Sequence, residues 1–149
     1  MRAVTQRVSR AAVRVDGDVV GAINAGLLVY AAAIPDDTIA DADFIADKIA
    51  NLRIFKDDAG KMNRSVLDAG GGVLVVSAFT VAADARRGRR PSFDSSASGD
   101  VARPLIDALI DRLRELGAPV ETGRFAAEMF VESVNDGPIC VLLDSRRVF

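Results

Sequence analysis

The sequence predicts an α/β layered domain in which much of the sheet is antiparallel. Three observations carry this expectation. Short segments alternate apolar and polar residues between turn signals, which is the period of a half-buried strand. The stretches 27–33 and 73–76 are continuous apolar runs of strand length. Two longer stretches repeat apolar residues at helical spacing. Read together, they give about eight or nine strands and two helices.

Ala11, Val13 and Val15 alternate with polar or small neighbours and mark a strand. Asp16-Gly17-Asp18 is a turn, and residues 19–23 form the return strand. Gly26 opens the run 27–33, whose lack of a polar face implies cover on both sides. Pro35-Asp36-Asp37 breaks that strand. Thr38 can cap a helix, and Asp41 lies where a carboxylate favours the helix N-terminus. Ile39, Ala42, Ala46 and Ile49 then give an apolar stripe that ends near Asn51.

Residues 52–55 read as the next strand, and Asp57-Asp58-Ala59-Gly60 turns it into residues 61–66. Ala69-Gly70-Gly71-Gly72 precedes the strand 73–76. No Gly-Lys-Ser/Thr follows these glycines and no helix does, so they read as an inter-strand turn rather than a phosphate loop. Residues 84–99 form the longest irregular stretch. Asp100 caps a second helix with Pro104 in its first turn. Leu105, Ile106, Leu109, Ile110, Leu113 and Leu116 supply its stripe, and Gly117 ends it. Residues 129–134 and 139–143 read as a final strand pair around Asn135-Asp136-Gly137-Pro138. The tail Arg146-Arg147-Val148-Phe149 reads as loose.

Composition bounds the chemistry. The chain has 149 residues, half of them hydrophobic and 27% charged, so one globular domain over 1–149 is expected. No apolar run approaches the ~20 residues of a membrane span, and the first residues are too polar for a signal peptide. A cytoplasmic location is the default expectation. There is no histidine and one cysteine, Cys140, so a Cys/His zinc site, a Ser-His-Asp triad and a Cys-His pair are all excluded within one chain. No metal or other cofactor is expected. The formal charge of −2 means that any nucleic-acid contact needs a local basic patch.

Three stretches could carry chemistry. Ser77-Ala78-Phe79-Thr80 ends a buried strand, where hydroxyls can orient a reacting group or simply close the strand with local hydrogen bonds. Arg86, Arg87, Arg89 and Arg90 fall within five residues, and arginine forks suit phosphates; a solvated loop explains them as well. Asn135-Asp136-Gly137-Pro138 needs nothing beyond a turn, and sequence alone gives no reason to expect a cis bond there. Cys140, flanked by Ile139 and Val141, reads as a small buried apolar residue.

These stretches, in this order, resemble the D-aminoacyl-tRNA deacylases (the D-tyrosyl-tRNA deacylase family). The likeness runs from Met1-Arg2-Ala3-Val4-Thr5-Gln6-Arg7-Val8-Ser9 through Asn51-Leu52-Arg53-Ile54-Phe55 and Gly60-Lys61-Met62-Asn63. It continues in Gly88-Arg89-Arg90-Pro91-Ser92-Phe93 and Glu121-Thr122-Gly123-Arg124-Phe125, and closes with Asn135-Asp136-Gly137-Pro138 and Leu142-Leu143-Asp144-Ser145. Two positions depart from the family pattern: Ala78 stands where the family has glutamine, and Cys140 where it has threonine.

The resemblance implies two packed, largely antiparallel sheets, barrel-like, flanked by two main helices. It implies a cytoplasmic homodimer with active sites at the interface that hydrolyses the ester of D-aminoacyl-tRNA at its 3′ acceptor end, as translation proofreading. Ser77, Phe79 and Thr80 would be the catalytic residues. Backbone N–H groups near Phe79 and Thr80 would stabilise the oxyanion, while the RNA's own 2′-hydroxyl helps activate water. Gly137 and Pro138, joined by a cis bond and reaching into the partner's pocket, would exclude L-amino acids by lack of room and would not exclude glycine, as on Gly-tRNA(Ala). Arg86, Arg87, Arg89 and Arg90 would be candidates for tRNA phosphates. The departures at Ala78 and Cys140 leave a second reading open: a relative that binds aminoacyl-tRNA with weak turnover, or edits a small L-amino acid.

Overall fold

A computed structural model describes residues 1–148. The chain runs β1 (Arg2–Val15), β2 (Asp18–Ile23), β3 (Gly26–Ala32), α1 (Ile39–Asn51), β4 (Phe55–Lys56), β5 (Met62–Arg64), β6 (Gly72–Ser77), a 3₁₀ turn (Phe79–Ala82), α2 (Gly99–Glu115), β7 (Val120–Thr122) and β8 (Phe130–Asp144). β1 is the axis. Along one edge it pairs antiparallel with β8 from Arg2↔Asp144 to Arg14↔Phe130. Along the other, residues 2–8 pair with β3 and residues 11–15 with β2, both antiparallel. β6 joins β3 in parallel and β7 joins β6 in parallel. β4 and β5 form a separate two-stranded sheet.

The apolar runs explain the layering. Leu27, Val29, Ala31, Val73 and Val75 face α1 and α2, meeting Ile45, Ile49, Leu109 and Leu113 in one core. Leu28, Leu74 and Val76 point the other way, against Val8, Ala11 and Val13 of β1 with Val20, Ile23 and Val131 beside them. The far half of β1 therefore curls with β2 over the outer face of β3 and β6. Both faces of these strands are covered, as their composition requires, and each fully buried leucine contributes about 1.5–3 kcal/mol. The curl nearly closes a barrel: a Cβ on Gly21 of β2 would lie 2.3 Å from the Thr122 carbonyl oxygen of β7. The expected two-layered, largely antiparallel α/β architecture is the one observed.

Several local expectations are corrected. Residues 129–143 are not a hairpin. Both halves run alongside β1 in the same direction, and residues between Asn135 and Cys140 bulge out opposite Arg7. Turn-type residues at 135–138 mark that bulge, and they mimic a hairpin in sequence. The strand reading of 52–55 shrinks to Phe55–Lys56. Ile39 is 52% exposed, and Ile45 and Ala50 complete the stripe of α1 instead. Ser98, not Asp100, is the N-cap of α2, which leaves Pro104 a turn inside the helix. Cys140 is exposed, because it lies on β8 where no further strand covers it. The tail is anchored at Arg146, whose guanidinium donates to the Pro35 carbonyl, and at Arg147, stacked 5.3 Å over the Phe44 ring; Phe149 lies outside the described residues. The expected cap at Thr38 stands, its N–H donating to Asp41 Oδ2 at 2.8 Å. Among the described residues no helix is long and apolar enough to cross a membrane.

Barrel closure makes a prediction. Gly21→Ala forces a methyl group into the Thr122 backbone and should cost about 1–3 kcal/mol in urea unfolding. Gly99→Ala, with nothing within 4 Å of the new Cβ, should stay within about 0.5 kcal/mol of the parent. Equal effects would refute the close β2–β7 approach.

Candidate active site

The central strand β6 delivers Ser77 to the sheet's end, where Ala78 donates its N–H to the Ala31 carbonyl at 2.8 Å and the chain breaks into the 3₁₀ turn. The turn starts because Val81 N–H bonds back to the Ala78 carbonyl at 3.0 Å. A first turn has no acceptor for its leading N–H groups, so those of Phe79 and Thr80 find none within it. Phe79 stands 57% exposed, held edge-on by Phe93 at 5.2 Å between ring centroids. Ser96 fixes the same turn by donating its hydroxyl to the Phe79 carbonyl at 2.9 Å.

These residues form one wall of a cleft of about 740 Å³. Tyr30, Ala78, Phe125, Glu128, Met129 and Val131 are among its other lining residues. All three sequence-predicted catalytic residues, Ser77, Phe79 and Thr80, thus lie on one wall. Burial pushes the Tyr30 phenol up, so it stays protonated at neutral pH and can donate a hydrogen bond there. Among the described residues, the titratable groups lining the cleft are Tyr30 and Glu128, and no group of three potential metal-binding side chains occurs.

Gly137 and Pro138 do not line this cleft within one chain. They sit exposed at the crest of the β8 bulge, joined by a cis bond. Gly137 has φ 145°, and a Cβ there would meet the Ile139 nitrogen at 2.6 Å, so only glycine fits. The bulge is pinned from beneath by Arg7, which is 4% exposed. Its guanidinium donates to the Ile54 carbonyl and, at 3.2 Å, to the Asp136 carbonyl, and it pairs with the Asp136 carboxylate at 3.0 Å. Asn135 closes the other side, donating to the carbonyls of Arg7 at 3.0 Å and Ile139 at 2.9 Å. Sequence reasoning assigned no role to Arg7 or Tyr30. An arginine in phase with Ala3 and Thr5, the buried parity of β1, was the available signal for Arg7.

The arginine loop stands beside the cleft, tied to it by Phe93. Arg87, Arg89 and Arg90 are exposed. Arg86 is engaged: its guanidinium donates to both Asp84 carboxylate oxygens, at 2.6 and 2.9 Å, and holds that carboxyl down to about 2. Cys140 lies outside the cleft, its sulfur 3.9 Å from Gln6 Nε2.

The family described as D-Tyr-tRNA(Tyr) deacylase matches residues 4–144. The chain is 58% identical over 149 residues to a D-aminoacyl-tRNA deacylase of Anaeromyxobacter dehalogenans, covering all of both chains. It is 53% identical to one from Thermotoga petrophila, again over the whole of both. A solved structure described as a c-Myc DNA Unwinding Element Binding Protein superposes with a TM-score of 0.92 at 35% identity, covering 97% of this chain and 98% of that one. A probable eukaryotic D-amino acid tRNA deacylase shares the fold, with a TM-score of 0.79 at 16% identity, over 95% of this chain and 97% of that one.

The Asp84–Arg86 pair gives a pH prediction. A carboxyl with a lowered folded pKa adds stability to its loop above the ordinary value of 3.8 and loses it as pH falls through about 2. NMR titration of the Asp84 carboxyl should show a midpoint near about 2, returning toward 3.8 in Arg86→Ala. An unmoved midpoint in that variant would remove the pair.

Proposed function

The chain belongs to the D-Tyr-tRNA(Tyr) deacylase family and is a hydrolase acting on ester bonds, and we propose that it removes D-amino acids from the 3′ end of aminoacyl-tRNA. The observation that carries this reading is the cleft at the end of β6, walled by Ser77, Phe79 and Thr80 in a chain without histidine. Water attacks the ester carbonyl carbon, the carbon–oxygen bond to the terminal ribose breaks, and free amino acid and tRNA leave. An aminoacyl ester is already activated, so positioning and oxyanion stabilisation suffice. The N–H groups of Phe79 and Thr80 supply the donors, and Thr80 orients rather than attacks, since the chain has no histidine to activate it. The terminal ribose 2′-hydroxyl assists the attacking water.

Chirality selection falls to Gly137 and Pro138 of a second copy of the chain. β8 supports this pairing: it is an edge strand of 15 residues with Phe130 67% and Leu142 57% exposed, and such an edge calls for a partner. In the homodimer the bulge of one chain enters the cleft of the other, its main chain crowding any L side chain at the reacting α-carbon. Glycine passes the same filter, so glycine carried on tRNA(Ala) is a further substrate. The arginines at 87, 89 and 90 meet tRNA phosphates, with Arg86 held back by Asp84. The molecule acts where tRNA is charged, in the cytoplasm.

Ala78 favours a second reading, because it lines the cleft where a longer amide would reach inward. There the protein binds aminoacyl-tRNA with little turnover, or accepts a small L-amino acid.

Purified protein should release D-tyrosine from D-Tyr-tRNA about 100-fold faster than L-tyrosine from L-Tyr-tRNA, and equal rates would overturn the proposal. A rise in rate of about tenfold or more in Ala78→Gln/Cys140→Thr would instead favour the weak-turnover reading. Arg89→Ala with Arg90→Ala should weaken tRNA binding and lower its salt slope by ~1–2. An unchanged slope would identify the loop as merely solvated.

A further inference from the structure

A second depression, of about 280 Å³, opens on the helix side of Ser77. Ser77 and Phe125 line both it and the main cleft, so the two are separated by one wall. Arg103 of α2 lies across Phe125, its guanidinium carbon 4.8 Å from the ring centroid. A guanidinium held over an aromatic ring keeps N–H groups available to donate. Arg124 and the partly buried Thr122 line the same depression, with Asp107 as its one carboxylate. Among the described residues neither Arg103 nor Arg124 is in an ion pair within 4.0 Å. Two guanidinium groups outside any ion pair and a hydroxyl beside a single carboxylate form a site for one small anion.

We propose that Arg103 and Arg124 hold the phosphate on the 5′ side of the terminal nucleoside of the substrate tRNA. This rests on the deacylase reading, which puts the aminoacyl ester in the main cleft. The RNA strand must leave that cleft, and the first charged group it meets is this phosphate, one ribose away from the reacting ester. The wall shared through Ser77 and Phe125 puts the depression at that reach. The role differs from that of the arginine loop, which does not line this depression and is tied to the main cleft through Phe93 and Phe79. It places the reacting end instead of gathering the bulk of the tRNA.

The test uses a non-hydrolysable D-tyrosyl amide of 3′-amino-3′-deoxyadenosine, with and without a 5′-phosphate, bound to the intact protein by calorimetry. The phosphate should tighten binding about tenfold in the parent and leave it nearly unchanged in Arg103→Ala/Arg124→Ala. Arg103→Lys should retain part of the gain, since it keeps the charge and loses the fork. The proposal is overturned if the phosphate makes no difference in the parent. It is also overturned if the double variant loses affinity equally for both forms, which would mean that Arg103 only braces Phe125. Hydrolysis of D-Tyr-tRNA by the parent reports separately on the deacylase reading. Turnover with no phosphate effect sinks this inference alone, and a phosphate effect without turnover sinks the deacylase reading alone.

Discussion

The antiparallel pairing of β1 with β8 organises the sheet and sets the position of the Gly137–Pro138 crest. β1 has both edges occupied along its length, and it changes partners midway from β3 to β2. The change is possible because register shifts near Val8 turn the strand from the helix-facing core to the inner face of the curled sheet. The same shifts throw out the residues between Asn135 and Cys140 on β8. One irregularity thus does two things: it closes the barrel and raises the Gly137–Pro138 crest. A bulge re-aims backbone without ending a strand, so the crest is exposed yet anchored at both ends.

Arg7 makes that crest stiff. A guanidinium with 4% exposure is costly to desolvate and stays only where its donors are used. Here they reach two main-chain carbonyls and one carboxylate, from Ile54 and Asp136. Two segments distant in sequence are held against one charge. The filter proposed for this crest would need such stiffness, and an arginine bound to carbonyls is more rigid than a surface ion pair, which contributes about 0–1 kcal/mol.

Much of this was legible in the sequence, and the failures share a cause. Local signals match the structure at the turn Asp16-Gly17-Asp18, the capping pair Thr38 and Asp41, the stripe of α2 and the doubly covered runs of β3 and β6, and miss at the start of α2, where Ser98 takes the cap expected of Asp100. The bulge looks like a hairpin in sequence because Asn, Asp, Gly and Pro tolerate both; only the partner strand distinguishes them, and β1 lies more than a hundred residues away in the chain. Cys140 was expected inside because its neighbours are apolar. Yet apolar residues on an edge strand are also how an interface between chains looks. Tyr30 and Phe125 entered the cleft unforeseen, since no motif reports that a barrel end and a helix N-terminal turn meet there.

The composition of the cleft follows from its chemistry. A hydrolase acting on an unactivated bond needs a base near neutrality, which usually means histidine. This chain has none; of the titratable groups lining the cleft, the protonated Tyr30 can donate but not accept a proton from water, and the other, Glu128, is an exposed carboxyl side chain. On the proposed reading an aminoacyl ester asks for less, because its alkoxide leaving group would sit beside a ribose hydroxyl able to share the proton. On that reading what the protein must add is geometry, and the cleft offers the leading main-chain N–H groups of the 3₁₀ turn and the exposed ring of Phe79. Main-chain groups suit such work. They cannot rotate away, they carry no side chain to titrate, and their positions are set by the strand and turn that the rest of the sequence folds to hold.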